Sequence, residues 1–303
     1  MLTINESKAR EVSLAISELG LRGDSYLDEL LFPSPNDDLE HQMAFFTSMV
    51  AIDHRTRSLS PFEAEISGRK LVGSDLLYHL GLREYHEDPS IFSPENLKEL
   101  PLERALRVLS HDNAVVWDLH IRTLLLRDLG KKVLMYFGSF SSLLSVDSVK
   151  KLLNRLRVFR AYEDPVQKKS FLLAKFLHRR GLVDFNDPEN WHVPVDNHLT
   201  RIAYRLGLVT ISPGLRKLIR SKVELSANID SNLRFFVRSA WKSVVEGSGV
   251  DAFTLDDFLW KLGRETCLEE APRCLICPLR RVCRAVETED FITEHTHLIT
   301  WYY

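Results

Sequence analysis

Cysteine is almost absent from this chain of 303 residues, which has only four. All four lie between Cys267 and Cys283, so none is left elsewhere to staple a secreted fold, and a reducing, cytoplasmic setting is expected. No apolar run of about 18 residues is present, which excludes a bilayer-spanning helix. The first residues, Met1-Leu-Thr-Ile-Asn-Glu6, lack the basic-then-apolar pattern of a secretion signal. Surplus charge is also missing: the formal net charge is −2, so the whole chain does not advertise nucleic-acid binding. The balance is uneven, however. Residues 1–50 hold nine acids and three bases, the remainder is net positive, and any nucleic-acid surface must be local. There is no internal repeat and no low-complexity segment, and the composition is that of a globular protein able to bury a large core.

The cysteines are spaced C-x6-C-x2-C-x5-C, as Cys267, Cys274, Cys277 and Cys283. Unrelated buried thiols scatter along a chain, and these do not. Four thiolates on one short loop suit a 4Fe–4S cluster, with a four-thiolate zinc site as the alternative. Zinc usually takes two short C-x2–4-C knuckles, and this array has one C-x2-C flanked by single cysteines. Arg273, Arg280, Arg281 and Arg284 make the loop locally basic, a candidate surface for phosphate, although solvated faces often look the same.

Elsewhere the chain reads as helix after helix. Apolar spacing predicts helices ending near Gly20, over 41–52, 76–82, 102–109, 115–130 and 146–161, and from Asp164-Pro165 to Gly181. Others follow from Asp196 to Gly207 and over 213–222, 228–246 and 254–264. Glu65 to Leu71 alternates around Ser67-Gly68 and predicts a small hairpin. The fold class is all-α.

Three groups could carry chemistry. Asp196 stands just before a helix, where aspartate is an ordinary N-cap. The same position holds a carboxylate ionised by first-turn N–H groups, able to face a developing cation. Lys168 and Lys169 lie in the first turn of their helix, against its dipole. A desolvated lysine can lose its proton and attack a sugar carbon, whereas a solvated pair does nothing. The polar run from Asp53 to Arg57, with Trp117, Asp118 and His120, is dense enough to line a pocket.

From Val195-Asp196-Asn197-His198-Leu-Thr-Arg201 through Arg205-Leu-Gly207, and again at Leu262-Gly-Arg264-Glu-Thr-Cys267, the sequence resembles the helix-hairpin-helix base-excision glycosylases of the endonuclease III and adenine-glycosylase branch. The resemblance covers about residues 165–285. It implies a two-lobed helical fold with a C-terminal 4Fe–4S loop, Asp196 as the catalytic carboxylate, and Lys169 or Lys168 as the nucleophile of a lyase. Arg201, Arg273, Arg280 and Arg281 are then expected on the substrate or DNA side. One departure stands out. The family's glycine-rich hairpin gives its N–H groups to a DNA phosphate, and here that place reads Glu163-Asp-Pro-Val-Gln-Lys-Lys169 without a glycine.

The N-terminal half, with Leu255-Asp-Asp-Phe-Leu-Trp260, is similar instead to the queuosine-salvage nucleotide N-glycosidases. Both resemblances imply cleavage of a base–sugar bond, on DNA or on a modified nucleotide. A non-catalytic iron–sulfur module that binds nucleic acid is the reading from another class. The expected organisation is a pocket-forming region over 1–130, a helical core over 131–210, a cluster domain over 211–286 joined by the N-terminal helix, and a tail over 287–303, in a monomer.

Overall fold

The structure, a computed structural model, describes residues 2–56 and 61–303. Arg57, the last member of the expected polar run, lies outside the described residues. Fourteen α-helices and three two-stranded ladders are formed among them, so the chain is all-α. None of the helices is long and apolar enough to cross a membrane.

Contacts divide the chain into two units. The first joins residues 2–24 to 188–300. Its start is secured by pairing: Thr3 lies opposite Thr210 and Ile4 opposite Val209 in an antiparallel ladder. The helix Glu6–Ser17 then lays Val12 and Ile16 into a core with Leu199, Ile202, Leu233, Val237 and Trp241. Fully burying such side chains stabilises by roughly 1.5–3 kcal/mol each, which explains why a segment so distant in sequence is retained here.

The second unit spans 25–187 and takes in Trp301–Tyr303. Its centre is the helix Leu39–Ile52, buried from Gln42 to its end. A helix apolar on every side can only lie inside a domain. Phe45 and Phe46 meet Phe32, Tyr78, Tyr85, Phe92 and Phe176 in a cluster of edge-on and stacked rings. The hairpin forms where the alternation predicts it, as Glu63–Ile66 against Arg69–Val72.

Several expectations need correction. Gly130 does not end a helix. It lies inside Leu119–Tyr136, where a Cβ would meet Leu97 Cβ, the Lys98 nitrogen and the Pro94 carbonyl, each at 2.6 Å. It is a glycine of close helix approach rather than a stop signal. Pro165 does not open a helix either; the helix begins at Lys168, after Gln167 in the left-handed region at φ +64°. Residues 287–300 are no loose tail. Ile292, His295 and His297 are buried, and Leu225 donates to the Thr296 carbonyl at 2.7 Å.

Candidate functional site

In the first unit, Asp196 is the N-cap of the helix Asn197–Leu206. Val193 and Val195 are buried and fix the approach of the strand-like segment before it. The Asp196 Oδ1 accepts from the Leu199 N–H at 3.0 Å, and its backbone carbonyl accepts from Thr200. Its Oδ2 lies 3.4 Å from His198 Nδ1, and the side chain is 19% exposed. The cap and the candidate catalyst are therefore one side chain, with one oxygen held by the helix and the other beside an imidazole.

The same helix carries Arg201 and Arg205, four residues apart and so on one face. Both are buried, and both serve the cysteine loop. Arg201 gives Nε and Nη2 to the Cys267 carbonyl at 3.0 and 2.8 Å and Nη2 to the Gly263 carbonyl at 2.7 Å. Its Nη1 is paired with Glu294. All three nitrogens have partners inside the protein. Arg205 donates to the carbonyls of Leu268 at 2.6 Å, Glu269 at 2.5 Å and Ile292 at 3.0 Å, and lies 3.4 Å from the Cys267 sulfur. No expectation from the sequence attaches to Arg205. Its spacing from Arg201 was the available signal.

None of the four cysteines is in a disulfide, and each is partly buried. They line one small enclosed space together with Arg205, Thr266, Pro272, Arg280, Val286 and Phe291. Among the described residues, no group of three or more His, Cys, Asp or Glu side chains is arranged to hold a single metal ion. Burial and the neighbouring sulfurs push the Cys277 thiol up to about 11, and burial raises Cys274 and Cys283 as well. Arg273, Arg280 and Arg281 are exposed on the loop surface, as are Leu275 and Ile276.

In the second unit, Lys169 is wholly buried and Lys168 nearly so. Lys169 Nζ donates to the Ala51 carbonyl at 2.6 Å and lies 3.1 Å from His54 Nδ1. Lys168 Nζ donates to the Asp53 carbonyl at 3.3 Å. On its far side His54 places Nε2 3.0 Å from Asp118 Oδ2, and Arg122 Nε donates to Asp118 Oδ1 at 2.7 Å. Arg122 also caps the end of the buried helix through the carbonyls of Ile52 and His54. Trp117 Nε1 donates to the Arg55 carbonyl at 2.7 Å. His120 is exposed and takes no part. Burial, then the charges of Lys168 and Arg122, pulls the Lys169 amine well below the usual lysine range. Burial and Arg122 do the same to His54.

The turn before this helix is also specific. Asp164, itself buried, accepts from the N–H groups of Val166 at 3.0 Å and Lys168 at 2.9 Å through its carboxylate, and its carbonyl accepts from Gln167 at 2.9 Å. Two N–H groups of the glycine-free turn are thus satisfied by the chain's own carboxylate and a third by a backbone carbonyl.

No protein-family model matches this sequence, and no curated protein matches it either. Solved structures do. A structure of endonuclease III trapped as a covalent intermediate with DNA is similar over 95% of this chain and 99% of that one, at 13% identity and TM-score 0.51. An 8-oxoguanine DNA glycosylase from Pyrobaculum aerophilum, complexed with 8-oxoguanosine, is similar over 92% and 97%, at 16% identity and TM-score 0.48. The chain shares its overall fold with that endonuclease III structure.

Proposed function

We propose that this protein is an N-glycosidase of the DNA glycosylase type, an enzyme that breaks the bond between a base and its sugar. The observation that carries this reading is Asp196, a partly exposed carboxylate with Oδ1 held by the Leu199 N–H at the start of its helix. Such a carboxylate stays ionised and stabilises the cationic sugar that forms as the base departs. The base is first rotated out of its stack, as enzymes acting on buried bases require. Where water completes the reaction, Asp196 activates it. In the lyase form a lysine attacks the sugar carbon instead, and Lys169, buried with a lowered affinity for its proton, suits that role better than Lys168.

The donor set of the loop fits a 4Fe–4S cluster, which Cys267, Cys274, Cys277 and Cys283 would hold. All four border one space, while thiolates around one zinc must close to roughly 3.8 Å from one another, given zinc–sulfur bonds of about 2.3 Å. The cluster's part would be to fix the loop, presenting Arg273, Arg280 and Arg281 to phosphate. Purified protein is expected to be brown with bound iron and sulfide; colourless protein with stoichiometric zinc overturns the cluster.

A second reading, a glycosidase for a modified nucleotide, is favoured by Asp164. Its carboxylate takes the turn N–H groups that a duplex phosphate would need. One panel decides between them: base release from lesion-bearing DNA and from modified nucleotides, with binding followed against salt. A steep salt slope belongs to the DNA enzyme. Asp196→Asn is expected to lower base release on the order of 100-fold or more, the scale of losing one well-placed electrostatic group. Full base release by that variant overturns the role of Asp196, whereas a wild-type chain that releases no base from any member of the panel leaves the non-catalytic iron–sulfur module.

A further inference from the structure

Lys169 has two partners, and they determine what its nitrogen can do. Asp118 accepts at Oδ1 from Arg122 and presents Oδ2 to His54 Nε2. A carboxylate is only an acceptor, so the His54 proton sits on Nε2 and the Nδ1 lone pair faces Lys169 Nζ at 3.1 Å. A neutral Lys169 amine has two hydrogens. One goes to the Ala51 carbonyl and the other to His54 Nδ1, which leaves the nitrogen lone pair uncommitted. The backbone around this chain of contacts is held in unusual form: Arg55, Asp118 and Gln167, none of them glycine, have φ of +45°, +57° and +64°. Such positions cost of order 1–3 kcal/mol each and persist where the surroundings impose them.

We propose that His54, oriented by Asp118 and Arg122, positions Lys169 as the amine nucleophile and accepts its proton during attack. This rests on the lyase form of the function proposed above and deepens it by assigning the nucleophile and its base. The Nζ–carbon bond forms as the base–sugar bond breaks, and that bond's electron pair leaves with the base. One proton passes from Nζ to His54 Nδ1, giving an imidazolium stabilised by Asp118. The departing base then takes that proton, which restores neutral His54. The charged and titratable groups facing His54 are Lys168 and Lys169 from their helix, Asp53 and Arg55 from the end of the buried helix, and Asp118 and Arg122. Burial, then the positive groups among them, lowers the affinity of the His54 imidazole for a second proton.

The test is Asp118→Asn in the full chain, chosen because two explanations predict opposite signs. The Asp118 charge favours the protonated lysine, so electrostatics alone make the variant's Lys169 more readily neutral and its attack faster. In our proposal the variant is slower. Arg122 still demands an acceptor, so the new carboxamide turns its oxygen to Arg122 and its NH2 to His54 Nε2. The proton then moves to Nδ1 and engages the Lys169 lone pair. Borohydride trapping on abasic-site DNA is expected to fall on the order of 100-fold or more; in a Ser-His-Asp triad a wrong histidine tautomer costs about 10,000-fold. Nitrogen NMR of the imidazole, assigned with His54→Gln, reads the tautomer without activity. The wild-type ring is expected to be neutral with its proton on Nε2 from about pH 6 to 8, and the variant to carry it on Nδ1. A wild-type ring protonated on Nδ1, or equal trapping by variant and wild type, overturns the role of His54 alone. A wild-type chain that releases base without trapping removes the lyase and this inference with it; one that releases no base removes the enzyme reading.

Discussion

At the scale of single residues, the second unit repeatedly sets a side chain where another kind of ligand or a gap would otherwise stand. Glu40 accepts from the N–H groups of Phe140 and Ser141 at 2.7 Å each. Asp187 accepts from Val149 at 2.7 Å and Lys150 at 3.1 Å, and Asp164 does the same before Lys168. Each carboxylate satisfies helix-start donors that would otherwise attract a free anion. Gly130 shows the opposite economy, a missing side chain that lets the Leu119–Tyr136 helix touch Pro94–Lys98. Gly130→Ala improves helix propensity by about 1 kcal/mol. It also drives a methyl into backbone atoms at 2.6 Å, an overpacking that typically costs about 1–3 kcal/mol. The clash wins because the Lys98 nitrogen and Pro94 carbonyl cannot rotate away. Urea unfolding is expected to show a net loss, and a gain in stability would mean the helices separate easily.

At the scale of elements, the helix Asn197–Leu206 does two jobs on two surfaces. Its N-terminus presents Asp196, and its flank sends Arg201 and Arg205 into the carbonyls of the cysteine loop. The planar guanidinium of Arg205 reaches Leu268, Glu269 and Ile292 at once. A lysine, with its donors on one atom, cannot span those carbonyls. Arg205→Lys is therefore expected to cost about 2–4 kcal/mol, from charge-assisted bonds worth about 1.5–3 kcal/mol each with partial replacement. Hydrogen exchange is the measurement: amides at 267–292 exchange faster while those of Leu39–Ile52 stay protected. Unchanged exchange in the loop would show that the thiols and their ligand hold it without Arg205.

At the scale of the whole molecule, pH acts through buried histidines. His54 and His295 are lowered by burial, and His192 is lowered by burial to about 4. His295 is lodged 2.8 Å from Asp230, whose other oxygen accepts from buried Arg234 at 3.0 Å. All three histidines bind a proton less readily in the folded chain than in the unfolded one. The unfolded chain thus binds more protons below its ordinary histidine value of about 6.5, and stability falls as pH drops from there. For His192 the window closes near 4. The slope is up to about 1.4 kcal/mol per pH unit for each histidine. Melting temperature is expected to drop between about pH 7 and pH 5, ahead of ordinary carboxylate titration. A flat profile would mean that these rings are not sealed in the native state.

The sequence by itself determined what depends on local chemistry. The helical class, the hairpin around Ser67-Gly68, the cap at Asp196 and the grouping of four cysteines are each legible because neighbours along the chain decide them. Tertiary structure decided what depends on which distant atoms meet. Gly130 looked like punctuation and proved to be a contact surface, because only packing reveals what a Cβ would strike. The partners of Arg201, at 263, 267 and 294, lie 62 or more residues away along the chain and only packing brings them together. Lys169 differed little from Lys168 in the sequence, and the carbonyl of Ala51 with the imidazole of His54 separates them. Burial and charge act through space, and apart from Lys168 the charges that act on Lys169, those of Arg122, Asp53 and Asp118, come from distant stretches of the chain.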